Sequence, residues 1–519
     1  MNINNREEKK KAEKTIKRLK EKKSDYWTRR AEEVSLRLFR EVAERVPAYK
    51  DFLRKNKINP SKIKNFEDFK SVPPTSKENY LRRYPLEDLT WKGHMKKSLV
   101  FTSTSGSTGA PFYFPRNHIL DWQSSIYHQI FLENSRIDIN KSTLVIVCFG
   151  MGVWIGGLIT YQAFKLISDR GYPLAIIAPG VNKKEIFEAL KNIGPKFDQI
   201  ILCGYPPFMK DVVDEAEGHG VRWKDHNVRI IFAAESFSEK FREYIIDKTG
   251  IRDIHTDTMN IYGSADIGTM AIETPLNILM RRTALDRKNI YNDLFAEANR
   301  LPTFAQFNPE FLNFEASDKN IYCTGNNTIP FVRYAIGDTG GVVSFNEADS
   351  IFKSRGIDIR KEAKIAGFQN TISELPSVYL YERTDMSTKL YGAIIFSEYV
   401  KGGLERAKFA NRITGRFTMS TKHDRKHDEY LEINIELKNG IKPGKSLQKE
   451  ITESIVESLL KNSAEHKNNA NMMPERVVPK IVLWPYEHPL YFKSGIKQKW
   501  VKKDDSGKIK KSAVLKNEL

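Results

Sequence analysis

Cysteine is scarce in this chain. Its 519 residues hold three, Cys148, Cys203 and Cys323, far apart and in no Cys-x-x-Cys pair. That excludes a zinc-knuckle framework and a disulfide-stapled scaffold, and it fits a reducing compartment such as the cytoplasm. No internal repeat and no low-complexity linker occurs. The N-terminus is densely charged and has no apolar core, so no secretory signal is expected. Long apolar runs are nearly absent too. One charge-free stretch, residues 144–164, is about long enough to span a bilayer, but Gly150, Gly152, Gly156 and Gly157 punctuate it. It reads as a buried strand, a glycine-rich turn and a packed helix, so no membrane span is expected.

What is present describes a large globular protein. Hydrophobic residues make up 40% and aromatics 11%, enough for packed cores. The length exceeds what one ordinary core supports, so two or more domains are expected. The net charge is +19, concentrated in residues 9–23 and 497–511. Such ends bind RNA, acidic lipid or an anionic cofactor, or are solvated helix faces. Glu7, Glu8, Glu13 and Glu21 are mixed into the first run, and no nucleic-acid-binding motif accompanies either, so solvated charge is the better reading and a nucleic-acid partner is not expected.

One segment stands out for chemistry: Ser103-Thr104-Ser105-Gly106-Ser107-Thr108-Gly109-Ala110-Pro111, flanked by β-prone residues 98–102 and 112–114. Glycines let backbone N–H groups approach an anion, and Ser and Thr hydroxyls add donors that rotate to suit. This is a phosphate cradle between two strands, or else a polar hairpin turn. It is not the loop of a P-loop ATPase, because no Gly-Lys-Ser/Thr follows.

Further segments narrow the choice. The loop resembles the phosphate-binding signature of adenylate-forming enzymes, the superfamily of acyl-CoA synthetases, luciferases and peptide-synthetase adenylation domains. Asn260-Ile261-Tyr262-Gly263-Ser264-Ala265-Asp266-Ile267-Gly268 is similar to that family's Tyr-Gly-(Ser/Thr)-Thr-Glu block. Pro330-Phe331-Val332-Arg333-Tyr334-Ala335-Ile336-Gly337-Asp338 is similar to its Arg-Tyr-x-x-Gly-Asp block. Arg45-Val46-Pro47-Ala48-Tyr49-Lys50, Phe66-Glu67-Asp68-Phe69 and Val72-Pro73-Pro74-Thr75-Ser76-Lys77 resemble the phenylacetate–CoA ligase-like and coenzyme F390 synthetase-like branch. The resemblance runs in order from Val46 to Lys497.

The fold this implies is α/β: a large N-terminal domain of doubly wound sheets with flanking helices, then a small mobile α+β C-terminal domain. Residues 1–75 read as a helical lead-in, with Val34, Leu36, Leu38, Phe39 and Val42 near a 3.6-residue period. Strands and helices then alternate to about residue 350, the signature of a parallel sheet whose ligands sit beyond the carboxyl ends of its strands. After about residue 383 the texture changes to long alternating strands around residues 430–437 and 480–484 and a helix at 446–460. The AMP-binding domain is therefore placed at 1–382 and the small domain at 383–519. The boundary falls at Glu382-Arg383-Thr384-Asp385, which aligns with the family's Gly-Arg-x-Asp hinge. Gly392-Ala393-Ile394-Ile395 matches the Gly-x-x-Ile near the thioesterification tunnel.

The resemblance implies an AMP-forming ligase that takes a small-molecule carboxylate, ATP, Mg2+ and CoA. Ser105, Gly106, Ser107, Thr108 and Gly109 would hold the β- and γ-phosphates. Ala234 and Glu235 would line the adenine edge, Tyr262 would stack on the base, and Gly263 and Ser264 continue that block. Asp338 would accept from both ribose hydroxyls, though an acid in Gly-Asp-Thr-Gly is also a plain turn residue. Asp266 would position Mg2+, a hard cation suited to its oxygens. Arg383 and Asp385 would form the hinge of the catalytic cycle. For the catalytic lysine two stretches compete. Lys508 has the better local string, Ser-Gly-Lys-Ile, whereas Lys497 follows the strand at 480–484 and Pro485/Pro489 in the expected place and is the one assigned.

Departures from the pattern are Ala110 for a common lysine, Ala265 for threonine, Asp266 for glutamate and Glu382 for glycine. The acceptor is CoA or another nucleophile, namely an amine, a hydroxyl or a carrier-protein thiol; a further alternative is an inactive homologue serving as a basic binding module. The aromatic residues Phe149, Trp154, Tyr205 and Phe208 fit an aryl or fatty acid, or plain core. The sequence leaves the acid and the oligomeric state open.

Overall fold

The computed structural model describes residues 3–95, 99–103, 112–295, 302–381, 387–404, 406–409, 411–489 and 491–492. Two compact units meet in sequence between Glu382 and Arg383. Three helices open the first: Ile3–Glu21, Ser24–Arg45 and Pro47–Lys55. The second buries Trp27, Leu38, Phe39, Val42 and Ala43 along one face. It stops at Val46, which is extended, because the ring of Pro47 disfavours helical backbone in the residue before it. Pro47 then starts the third helix, where a missing N–H costs nothing.

A short antiparallel hairpin follows, β1 (Val100–Ser103) and β2 (Tyr113–Arg116), with Ser103 opposite Tyr113. The hydroxyl- and glycine-rich loop between them lies outside the described residues. Next come β3 (Thr143–Val147), β4 (Leu174–Ile177), β5 (Gln199–Gly204), β6 (Val228–Ala233) and β7 (Thr258–Ser264), all parallel. Helices Ile155–Asp169, Lys183–Asn192, Pro206–Glu215 and Glu239–Thr249 make the crossovers. Every residue of β3 and β5 is buried, which is why both read as continuous apolar runs. The charge-free stretch 144–164 is thus a central strand plus a crossover helix. Among the described residues no helix is long and apolar enough to cross a membrane.

The sheet does not stay parallel. Beyond β7 come β8 (Gly268–Ile272), β9 (Thr303–Gln306), β10 (Leu312–Ser317), β11 (Asn320–Gly325), β12 (Phe331–Val343) and β13 (Ser377–Tyr381). They extend the same eleven-stranded sheet in the order β10-β11-β12-β13-β9-β8-β7-β6-β5-β3-β4, with antiparallel pairing from β7 outward. The winding expected from strand–helix alternation therefore covers one half. The links β7–β8, β10–β11 and β11–β12 are too short for a crossover helix, so the chain there must return antiparallel.

The helix His118–Asn134 packs on this sheet and carries His128, which is fully buried. Its Nδ1 lies 2.8 Å from the Ser124 carbonyl oxygen, its ring stands edge-on to Phe164 at 5.1 Å, and among the described residues Nε2 has no hydrogen-bond partner. Burial pushes its pKa down to about 4. The unfolded chain therefore takes up a proton as pH falls through 6.5 that the folded chain refuses until about pH 4. Stability is expected to fall across that window, by up to about 3 kcal/mol at 1.36 kcal/mol per pKa unit. Urea unfolding at pH 7.5 and pH 5 should show a smaller difference for His128→Gln than for the parent chain. An equal difference would refute the assignment.

The second unit has its own sheet. A hairpin of β14 (Ser387–Leu390) and β15 (Ala393–Phe396) precedes three strands, β16 (Ile413–His423), β17 (Glu429–Leu437) and β18 (Lys480–Trp484). β17 pairs antiparallel with β16 and parallel with β18. The helix Lys445–Asn462 supplies the crossover and buries Ile451, Ile455 and Leu459. The β14–β15 turn is Tyr391-Gly392, with φ of 49° and 79°. Both values are positive, as a two-residue type I′ turn requires. The non-glycine member is held in place: Tyr391 N–H donates to Glu429 Oε2 at 2.8 Å, and Asn469 Nδ2 donates to the Tyr391 carbonyl at 2.9 Å.

Candidate functional site

Most of the described candidate residues lie at or just beyond the carboxyl ends of the parallel strands β6 and β7. Ala234 follows β6 with φ 76°, a left-handed backbone for a residue with a Cβ. Glu235 beside it is buried, and its carbonyl accepts from Asn260 Nδ2 on β7 at 3.2 Å. The loop is anchored from behind by a buried charge network. Arg281 donates to the Phe237 carbonyl and lies 3.3 Å from Glu273, and Arg242 is paired with Glu239 at 2.9 Å and with Glu273 at 2.6 Å. Both guanidiniums are fully buried, so the network holds only because each charge has partners.

Tyr262, Gly263 and Ser264 close β7. A Cβ on Gly263 would sit 2.8 Å from the Gly268 carbonyl oxygen of β8, so the turn admits no side chain there. Ser264 Oγ accepts from the Ile267 N–H at 3.2 Å, bending the chain through Ala265 and Asp266 into β8. Tyr262 donates its hydroxyl proton to Asp338 Oδ2 at 2.7 Å. Two residues 76 apart in sequence are thereby brought together. Both are half-buried, one face in the protein and one open.

Asp266 is 4% exposed, and both of its oxygens are engaged. Oδ2 accepts from the Tyr334 hydroxyl at 2.6 Å, and Oδ1 lies 2.9 Å from Lys77 Nζ. Tyr334 and Asp338 stand on the same strand, β12. Lys77 comes from the N-terminal lead-in, where Pro73-Pro74 hold the chain extended. Thr75 then pairs in parallel with Tyr334: its N–H donates to the Arg333 carbonyl at 3.2 Å, and its carbonyl accepts from Ala335 N–H at 2.7 Å. Lys77 and Tyr334 belong to segments singled out in the sequence, but nothing in the sequence pairs them with Asp266. The constellation at these strand ends is a tyrosine–carboxylate pair beside a carboxylate that already holds a cation.

As a metal site Asp266 offers one carboxylate. Among the described residues no group of three or more His, Cys, Asp or Glu side chains could hold a metal ion. A single carboxylate still suits Mg2+, which keeps waters and takes most of its other ligands from substrate phosphates. Lys77 would have to give up its contact for the ion to bind there. Ser105, Gly106, Ser107, Thr108, Gly109, Arg383, Asp385, Lys497 and Lys508 lie outside the described residues.

The same architecture recurs in solved structures. A 2-hydroxyisobutyryl-CoA ligase in complex with 2-HIB-AMP and CoA, in its thioesterification state, superposes with a TM-score of 0.61 at 13% identity, covering 94% of this chain and 91% of that one. The same ligase in its postadenylation state with 2-HIB-AMP gives 0.52, covering 94% and 92%. The chain has the fold of adenylate-forming CoA ligases. By sequence it is similar to a phenylacetate–coenzyme A ligase of Thermus thermophilus, 22% identical over 239 residues, 46% of this chain and 49% of that one. The match thus spans about half the length of that relative. No family model matches the chain. Ala234 just beyond β6, Tyr262 near the end of β7 and Asp338 within β12 all belong to one sheet.

Proposed function

We propose that this chain is an AMP-forming carboxylate–CoA ligase. It activates a small-molecule carboxylic acid with ATP and passes the acyl group to CoA. A carboxylate oxygen attacks the α-phosphorus, the bond to the β-phosphate oxygen breaks, and pyrophosphate leaves with the electron pair. The CoA sulfur then attacks the acyl carbon and AMP departs. The observation that carries the reading is the pairing of Tyr262 with Asp338, beside Asp266 with Lys77 and Tyr334. It offers a half-open aromatic face and carboxylate for a nucleoside, and a cation for phosphates, beside the carboxyl end of β7.

In this reading Tyr262 stacks on adenine between its own ring face and the Ala234–Glu235 edge. Asp338, oriented by the Tyr262 hydroxyl, accepts from the two ribose hydroxyls. Lys77, set on Asp266, brings positive charge to the phosphates, where charge builds in the transition state. The loop from Ser105 to Gly109 takes the β- and γ-phosphates, and Lys497 reaches the α-phosphate and carboxylate. Bound Mg2+ would be held by Asp266 and the phosphates once Lys77 turns from that carboxylate to the phosphates beside it, and would spread phosphate charge.

ATP–pyrophosphate exchange with a panel of aryl, fatty and short hydroxy acids tests this. Exchange that depends on one acid, followed by CoA-dependent release of AMP, is the expected outcome. Exchange without CoA-dependent turnover would move the acceptor to an amine, a hydroxyl or a carrier thiol. No exchange with any acid, together with steeply salt-dependent RNA binding, would favour the basic binding module instead.

A further inference from the structure

Arg333 stands in a conformation that needs a reason. It lies inside β12, yet its φ is 44°, left-handed for a residue with a long side chain. The register explains where the strain sits. Cys323 faces Tyr334 and Gly325 faces Phe331, so the step along β12 is one residue longer than the step along β11. That extra residue is a bulge, a device that re-aims a neighbouring side chain. The side chain re-aimed is Tyr334, whose hydroxyl meets Asp266.

The guanidinium of Arg333 is buried and holds the bulge from the other side. It donates to the carbonyls of Lys70 and Val72, the latter at 2.5 Å, pairs with Glu315 at 3.3 Å, and lies over the Tyr322 ring at 5.3 Å. Its backbone N–H donates to Thr324 Oγ1 at 3.0 Å. Lys70 and Val72 begin the same segment that, past Pro73-Pro74, reaches Lys77. One residue therefore fastens both arms that grip Asp266: the lead-in carrying Lys77 and the bulge carrying Tyr334. Nη1 binds both carbonyls while Nε faces Glu315; a planar guanidinium holds those two directions at fixed geometry, and a point-like ammonium does not.

We propose that Arg333 is the positioning residue for the phosphate end of the site, setting Lys77 and Tyr334 on Asp266 without itself touching substrate. This rests on the ligase reading above. Arg333→Lys keeps the charge beside Glu315 and loses the fork. It is expected to raise the KM for ATP in acid-dependent pyrophosphate exchange about tenfold, the size of one hydrogen bond to a charged group, with the KM for the acid unchanged. Because Arg333 acts partly through Lys77, Arg333→Lys should cost less in a Lys77→Ala background than in the parent chain, the Tyr334 arm being all that is left for it to set. An unchanged KM for ATP in Arg333→Lys, or full additivity with Lys77→Ala, overturns the proposal.

Amide hydrogen exchange gives a readout that does not depend on activity. In Arg333→Lys the Thr75 and Ala335 amides, which close the Thr75–β12 bridge, should exchange faster, with protection across β5 and β6 retained. Unchanged protection at Thr75 and Ala335 overturns the docking role even if the chain proves not to be a ligase. Should Arg333→Lys fail to fold, Thr75→Val removes the hydroxyl bond to the Val332 carbonyl (3.1 Å) at nearly constant shape. It must then raise the KM for ATP in the same direction, and an unchanged KM counts against the proposal.

Discussion

Asp338→Ala is expected to weaken ATP binding by roughly 3–6 kcal/mol, two to four orders of magnitude in Kd, if two ribose hydrogen bonds to a charged acceptor are lost at about 1.5–3 kcal/mol each. The fold should survive, because Asp338 is only half-buried and the Tyr262 hydroxyl it leaves behind is at the same open edge. Calorimetric titration with ATP or AMP reads the loss directly. Asp338→Asn keeps one acceptor oxygen and loses the charge, so it should fall between the two. Tyr262→Phe should cost less than Asp338→Ala, since the stacking face remains and only the hydroxyl that orients the carboxylate is removed. Wild-type affinity in a folded Asp338→Ala variant would sink the ribose assignment.

The second large effect concerns Lys497, the lysine proposed to be catalytic. Lys497→Ala should lower acid-dependent pyrophosphate exchange by about 10²–10³, the range for removing one preorganised group at a site of developing charge. It should leave thioester formation from preformed acyl-adenylate and CoA nearly intact, because the two half-reactions are expected to use different faces of the small domain. Asp385→Pro should show the opposite pattern if, as proposed, Arg383 and Asp385 form a hinge about which the small domain turns, since a fixed φ there would obstruct that turn. Lys508→Ala should leave both half-reactions in place. If Lys508→Ala loses exchange while Lys497→Ala keeps it, the lysine is Lys508.

The secondary structure around the site was legible because it depends on local rules. Residues 228–233 form β6 and residues 480–484 form β18, as their apolar runs indicate, and the crossover helix expected from residue 183 runs Lys183–Asn192. Period and run length settle such elements within a dozen residues. The charge-free stretch at 144–164 was legible for the same reason: its glycines argued against one continuous helix. The type and order of motif residues were legible as well. Tyr262, Asp266 and Asp338 stand out by residue type and order alone, and the roles given to them belong to the proposal.

The sequence by itself therefore determined an α/β chain and the order of its motif residues. Only the tertiary structure decided what those residues touch. The half-antiparallel sheet is one case, since strand direction follows from connections and long-range pairing that no local period encodes. The grip on Asp266 is the other. Lys77 and Tyr334 reach that carboxylate from positions 189 and 68 residues away, through a bulge at Arg333 and a single bridge at Thr75. Such contacts are selected by burial, where a carboxylate removed from water must find a cation and a donor. The partners it finds are set by register and packing rather than by spacing along the chain.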